Sequence, residues 1–96
     1  MPIKRIVVDI LIPNDIDILD FTERIAGIDH VDGVTLHVLE IDERTKTVEV
    51  TIEGKHLYFK DINSVIEILG GSVHSIDMVS AGARMIDSMV TKREEE

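Results

Sequence analysis

The sequence predicts a ferredoxin-like α+β domain, a βαββαβ sandwich. Aliphatic, β-branched runs alternate with segments of helical spacing in that order, and Gly, Pro or polar residues separate them. A chain of 96 residues suits one core and not two. Right-handed crossovers then place both helices on one face of a four-stranded antiparallel sheet, so the other face is left bare.

The N-terminal third of the sequence predicts the first strand and the first helix. Residues 3–12 are almost wholly aliphatic and end at Pro13, which is typical of a central strand. A helix is predicted next, with Asn14 as its N-cap, Asp17 near its first turn and Gly27 at its end. Its apolar residues recur at spacings of three and four: Ile18, Phe21, Ile25 and Ile28.

The remaining elements follow the same logic. Residues 31–42 and 47–54 are rich in β-formers, and the polar stretch between them predicts a hairpin. Apolar residues repeat at helical spacing from Ile62 to Leu69 and stop at the Gly70-Gly71 pair, which predicts the second helix. Residues 73–79 form the last predicted strand.

The predicted domain comprises residues 1–83, and residues 84–96 form a separate C-terminal segment. This segment begins with an apolar cluster and ends in charged residues. The cluster consists of Met85, Ile86, Met89 and Val90. We expect these side chains to serve in assembly, because they need a surface to cover them.

Composition excludes several classes of function. The chain has no cysteine, so disulfides, thiolate metal sites and cysteine nucleophiles are absent. A formal net charge of -9 repels nucleic-acid backbones and anionic lipid, so neither is an expected partner. There is no signal-peptide pattern and no apolar run of membrane-spanning length, from which we expect a cytoplasmic protein.

If side chains alternate strictly between the two faces of each strand, the bare face carries both apolar and polar residues. The apolar side chains predicted there are Val7, Leu11, Leu39 and Ile41. The polar ones are Arg5, Asp9, His37, Glu49 and Thr51. A contiguous apolar area of this kind usually marks an interface or a ligand surface, and we expect a homo-oligomer.

Asp9 and Asp77 are the candidate metal ligands. Asp9 lies within an aliphatic strand, where a buried carboxylate needs a partner, and Arg5, His37 or a cation would serve. If Ile76 packs inward, Asp77 shares the outer face with Asp9, because the first and last strands are neighbours. Oxygen ligands suit calcium or magnesium, and the alternatives are a salt bridge to Arg5 or contacts between subunits.

Other functions of this fold find little support in the residues. An RNA-recognition domain stacks bases on outward aromatic residues, which the first and third strands lack here. An acyl-phosphate hydrolase needs an anion cradle after the first strand, where this chain places Asp15 and Asp17. The four histidines fall in no metal-binding motif, and we find no catalytic constellation, so we expect no enzyme. A small-molecule regulatory module remains open.

The chain resembles the archaeal domain of unknown function 211 family from about residue 3 to residue 86. The segments that carry the resemblance are Ile6-Val7-Val8-Asp9-Ile10-Leu11 with Pro13, Val31-Asp32-Gly33-Val34, Thr51-Ile52-Glu53-Gly54, Leu69-Gly70-Gly71-Ser72-Val73-His74-Ser75-Ile76-Asp77 and Ala81-Gly82. The resemblance implies a ferredoxin-like fold and ring-shaped homo-oligomers, with no established activity.

Asp9 and Asp77 both match the pattern of that family. Two positions depart from it: Ile12 stands where the family usually has Lys, and Met78 where it has an acid. If that acid binds a cation in relatives, the site is weakened here.

Two interpretations follow. The leading one is a non-enzymatic, ring-forming homo-oligomer that uses the bare face, the apolar segment or both as its contact surface. The alternative is a binding or regulatory protein for a divalent cation or small ligand, with Asp9 and Asp77 at its site.

Overall fold

The computed structural model describes residues 2–84 and confirms the predicted βαββαβ order. The elements are β1 (Ile3–Pro13), α1 (Ile18–Ala26), β2 (Gly33–Ile41), β3 (Thr45–Leu57), α2 (Phe59–Ile68) and β4 (Ser72–Ala81). The strands form one antiparallel sheet in the order β2-β3-β1-β4, which is the ferredoxin-like arrangement. β1 therefore lies inside the sheet, as its aliphatic sequence predicts.

The core lies between the sheet and the two helices. On β1, Ile6, Val8, Ile10 and Ile12 have exposed fractions of 0–2%. The same layer contains Val48, Val50 and Ile52 of β3, Phe21 and Ile25 of α1, and Ile62 and Ile66 of α2. Each fully buried side chain of this size contributes roughly 1.5–3 kcal/mol to stability. Both helices thus cover one face of the sheet, and the opposite face is open.

The start of α1 differs from the prediction. Asp17, and not Asn14, is the N-cap, and its carboxylate accepts a hydrogen bond from the backbone N–H of Leu19 at 2.9 Å. Asn14 instead donates its side-chain amide to the carbonyl of Asp42 at 2.7 Å, and its backbone N–H to Arg44 at 2.9 Å. These two hydrogen bonds hold Asn14 against the connection between β2 and β3, so Asn14 does not cap the helix. The helix therefore begins later than predicted, at Ile18.

A bulge in β2 changes which face its last residues occupy. Val38 pairs with Val48, but Glu40 pairs with Thr47, so Leu39 is an extra residue. Ile41 therefore pairs with Lys46, the residue that also pairs with buried Ile12. Ile41 lies on the helix side of the sheet and not on the bare face that strict alternation predicts.

β4 contains two bulges of the same kind. Val7 pairs with Met78 and Val8 with Ile76, so Asp77 is an extra residue between them. Asp9 pairs with Ser75 and Ile10 with Val73, so His74 is a second extra residue. Bulges are common on edge strands, where they disrupt pairing with other chains.

The predicted boundary at residue 83 stays a prediction, because the chain beyond Arg84 lies outside the described residues. The expectation that the apolar cluster beyond it serves in assembly lies outside the described residues. No helix between residues 2 and 84 has the length and apolar character needed to span a bilayer.

A substitution at Gly54 tests the packing at one end of the sheet. A Cβ atom there would collide with the carbonyl oxygen of His30 and lie 2.8 Å from Cδ2 of Leu57. We expect Gly54→Ala to lower the free energy of unfolding by about 1–3 kcal/mol, because buried backbone must move to make room. Gly33→Ala is the matched control, since nothing lies within 4 Å of its added Cβ. Equal urea-denaturation midpoints for the two variants would contradict the close approach.

Candidate functional site

The site is built around Asp9 at the centre of β1. Its cross-strand partners are Glu49 on β3 and Ser75 on β4. Because neighbours on each side of Asp9 along β1, Val8 and Ile10, point into the core, Asp9 and these partners project from the open face. The aliphatic alternation of β1 thus fixes the direction of the carboxylate.

The bulge in β4 brings Asp77 to the same place. Ser75 Oγ donates a hydrogen bond to Asp77 Oδ1 at 2.8 Å, which orients the carboxylate along the open face. One carboxylate oxygen from each of Asp9, Glu49 and Asp77 lies within 4.8 Å of the others. We call these three residues the acid cluster.

The structure therefore brings together the two residues proposed as ligands, Asp9 and Asp77. Sequence reasoning placed Glu49 on the same face but missed it as a third member of the cluster. The signal that finds it is the register between β1 and β3, because Glu49 lies directly opposite Asp9 only when Thr47 pairs with Leu11. Asp77 and the nearby His74 are both bulge residues of β4, so the faces of β4 do not follow strict alternation.

The three carboxylates of the acid cluster repel one another when all are ionised. Partial burial raises the pKa of Asp9 above its usual value of 3.8, and the neighbouring Asp77 raises it further through its charge and a side-chain hydrogen bond. Glu49 adds to the same effect, and His74 opposes it. The carboxyl of Asp9 thus holds its proton more tightly than an isolated aspartate does.

Arg5, the predicted alternative partner of Asp9, pairs with the acid opposite it on β3. Its Nε and one terminal nitrogen both lie 2.8 Å from Oε2 of Glu53. His37 of β2 is the cross-strand neighbour of Glu49. The β1–β3 ladder therefore carries an acid opposite an arginine at one position and an acid opposite an acid four residues further along β1.

The open face is less apolar than the sequence predicts. Val7 has an exposed fraction of only 9%, because its neighbours on β3 and β4 cover it. Leu11 is 42% exposed and lies at the end of β1 beyond the acid cluster. The surface around the acid cluster is therefore polar at its centre and aliphatic at one end.

Two of the four histidines take part in ring contacts elsewhere. His56 stacks on Tyr58 with centroids 4.7 Å apart, and His30 meets the same ring edge-on at 5.4 Å. These contacts give His30 and His56 a packing role at the turn into β2 and the end of β3.

The arrangement is suited to bind hard cations. The acid cluster offers carboxylate oxygens and neither thiolate nor thioether sulfur, and oxygen ligands are those preferred by calcium and magnesium. Calcium takes about six to eight oxygen ligands, so a bound ion would complete its shell with water or with oxygens from a second molecule. Metal binding by Asp9 and Asp77 remains a prediction.

The fold and the acid cluster define a small ferredoxin-like domain with a candidate cation site on its open sheet face. The profile of domain of unknown function 211 (DUF211, "Uncharacterized ArCR") matches residues 4–95. The uncharacterized protein MJ0319 of the archaeon Methanocaldococcus jannaschii is 45% identical over 92 residues, which cover 96% of this chain and 95% of that protein. This chain belongs to the DUF211 family, and the predicted resemblance is confirmed.

The raised pKa of Asp9 makes stability depend on pH in a defined direction. A carboxyl whose pKa is higher in the folded than in the unfolded chain favours folding at low pH, and this contribution is lost as pH rises through the folded pKa. In the presence of EDTA at pH 7, Asp9→Asn should therefore raise the free energy of unfolding by roughly 0.2–1 kcal/mol, the range for like charges on opposite strands.

The gain should vanish below pH 3.8, the usual value for aspartate, where Asp9 is protonated in both states. Chemical denaturation of Asp9→Asn and of the parent protein, at pH 7 and below pH 3.8, measures this difference in the free energy of unfolding. Glu40→Gln is the matched control, because Glu40 pairs with Thr47 on the same face and outside the acid cluster. A pH-independent difference between Asp9→Asn and the parent protein would show that repulsion is not its cause.

Proposed function

We propose that this protein is a non-enzymatic module that binds a divalent cation, calcium or magnesium, on its open sheet face. Asp9, Glu49 and Asp77 supply the carboxylate ligands. The observation that carries this proposal is the convergence of one oxygen from each of these residues to within 4.8 Å of one another. Three strands contribute one ligand each, so the folded sheet holds the site in place.

The electrostatics support the same conclusion. The acid cluster concentrates negative charge that raises the pKa of Asp9, and a divalent cation would remove this repulsion. The net charge of -9 also attracts cations to the whole molecule. A small anionic ligand would need the cation as a bridge, because three carboxylates repel it.

Isothermal titration calorimetry with calcium and with magnesium tests the site. The full-length protein should bind one ion per chain, and Asp9→Asn, Glu49→Gln and Asp77→Asn should each weaken binding at least about tenfold, since the number of charged ligands sets affinity. Glu40→Gln should bind as the parent protein does, because it removes the same charge at a position outside the acid cluster. Equal affinities for all four variants would assign any binding to general surface charge.

A second candidate function, self-association into a ring, is favoured by a separate observation. Three exposed aliphatic side chains border the same end of the sheet: Leu11 (42% exposed) on the open face, Leu39 (53%) at the bulge of β2 and Ile41 (66%) on the helix side. We call them the end patch. Contact between the end patch of one copy and a different surface of the next would be head to tail, and such contacts form a ring when the rotation between copies closes.

Light scattering coupled to size-exclusion chromatography tests this second proposal. The protein should elute at a multiple of its chain mass of 10.8 kDa, and Leu39→Lys should reduce that multiple, because a charge in an apolar contact is costly. Val79→Lys is the control, since Val79 is 51% exposed on β4 and pairs with Ile6, toward the other end of the sheet from the end patch. A mass of one chain for the parent protein at micromolar concentration would overturn ring assembly and leave the cation proposal standing.

A further inference from the structure

The two edge strands of the sheet, β4 and β2, differ in regularity. β4 departs from residue-by-residue pairing at Asp77 and again at His74. β2 pairs with β3 without a break from Gly33 to Val38, and its bulge comes after that run. Within residues 2–84 no strand pairs with the outer side of β2, so the run presents a row of backbone N–H and C=O groups that can pair with another strand. We call residues 33–38 the β2 edge.

The β2 edge lacks the features that usually prevent such pairing. Bulges, prolines and charged side chains protect the edge strands of many proteins. Residues 33–38 read Gly-Val-Thr-Leu-His-Val and contain no proline, lysine, arginine or carboxylate. Acids lie just outside this run, Asp32 before it and Glu40 after it. The β2 edge is therefore a strip without acidic or strongly basic side chains, bracketed by two carboxylates, in a chain whose net charge is -9.

An apolar groove continues the β2 edge onto α1. The side chain of Leu36 faces the helices, because its partner on β3, Val50, is fully buried. Leu36 is itself half-buried and lines the groove with four residues of α1: Ile18, Leu19, Thr22 and Glu23. Leu19 is 74% exposed. Because α1 and an edge strand form the groove, its apolar surface lies beside the β2 edge.

The β2 edge is complementary to a second copy of itself. If two β2 strands run antiparallel about a twofold axis at Leu36, residues directly opposite each other lie on the same face of the joined sheet. The opposed pairs are then Leu36 with itself, Val34 with Val38, and Thr35 with His37. Apolar side chains meet on the helix side and polar side chains meet on the open face, which is the favourable arrangement for cross-strand pairs.

The flanking acids disfavour the neighbouring registers. A shift of two residues places Asp32 opposite Val38 in one direction, and Glu40 opposite Val34 in the other. A shift of one residue places polar side chains opposite apolar ones along the whole run. A second copy carries the same alternation and the same two acids, so it meets all these conditions in a single register.

We propose that two copies of this protein join through their β2 edges, antiparallel about a twofold axis at Leu36, into one eight-stranded sheet. The helix layers of both copies lie on the same side of that sheet. Leu19 and Leu36 of one copy meet Leu19 and Leu36 of the other where the two grooves come together. This contact does not require the end patch, so it is independent of ring assembly.

Disulfide cross-linking tests the register, because the protein has no cysteine of its own. Directly opposed residues of antiparallel strands have Cβ atoms about 4.5–5.5 Å apart, within reach of a slightly adjusted disulfide. Full-length Leu36→Cys should therefore form a covalent dimer under mild oxidation, visible on non-reducing gels. Val34→Cys is the matched control on the same strand and face. It should stay reduced, since its two copies lie four positions apart, about 13 Å along the strand.

The double variant Val34→Cys/Val38→Cys should form the covalent dimer again, because each cysteine then lies opposite the other in the partner copy. These two positions are also about 13 Å apart within one strand, so they cannot join inside one chain. A reduced thiol in Leu36→Cys, or equal cross-linking of Leu36→Cys and Val34→Cys, would overturn the proposal.

Light scattering of the full-length protein provides the second measurement, with substitutions outside the core. Leu19→Lys should lower the number of chains per particle, because it places a charge in the shared groove. Ile68→Lys is the control and should keep the parent mass, since Ile68 is 81% exposed on the other helix, α2. A parent mass of one chain, 10.8 kDa, or equal masses for Leu19→Lys and Ile68→Lys, would contradict the twofold contact.

Discussion

The fold depends on the burial of one face of β1 between two neighbouring strands and two helices. Ile6, Val8, Ile10 and Ile12 are almost fully buried, and their strand pairs with β3 on one side and β4 on the other. Sliding β1 by one residue would place these side chains on the open face and Asp9 in the core, at a cost of many kcal/mol. The same constraint that builds the core therefore points Asp9 outward.

The bulge at Asp77 links the candidate site to the edge of the sheet. One extra residue in β4 lets Asp77 share the open face with Asp9, while Ile76 and Val79 come together on the helix side. A bulge also disturbs the hydrogen-bonding row that an edge strand presents to other chains. A single local irregularity thus places a carboxylate and exposes an apolar surface on opposite faces of the same strand.

The charges of the open face fall into two arrangements along β1 and β3. Arg5 and Glu53 neutralise each other across the strands, and their ion pair is part-buried, with the side chain of Arg5 only 15% exposed. Asp9 and Glu49 occupy the equivalent cross-strand relation with like charges, and Asp77 adds a third carboxylate. Stability alone does not favour the second arrangement, and for this reason the proposed cation site rests on the acid cluster and not on the ion pair.

The sequence by itself determined the order of the elements, the central position of β1 and the outward direction of Asp9, because aliphatic runs and helical spacings are local properties. It did not determine the faces of residues beyond a bulge, so Ile41 was placed on the wrong side and the neighbouring positions of Ile76 and Val79 were not foreseen. Glu49 as a partner of Asp9 and Asp17 as the helix cap also required the tertiary structure. Register and capping depend on contacts between residues far apart in the chain, and one extra residue in a strand reverses the face of every residue after it.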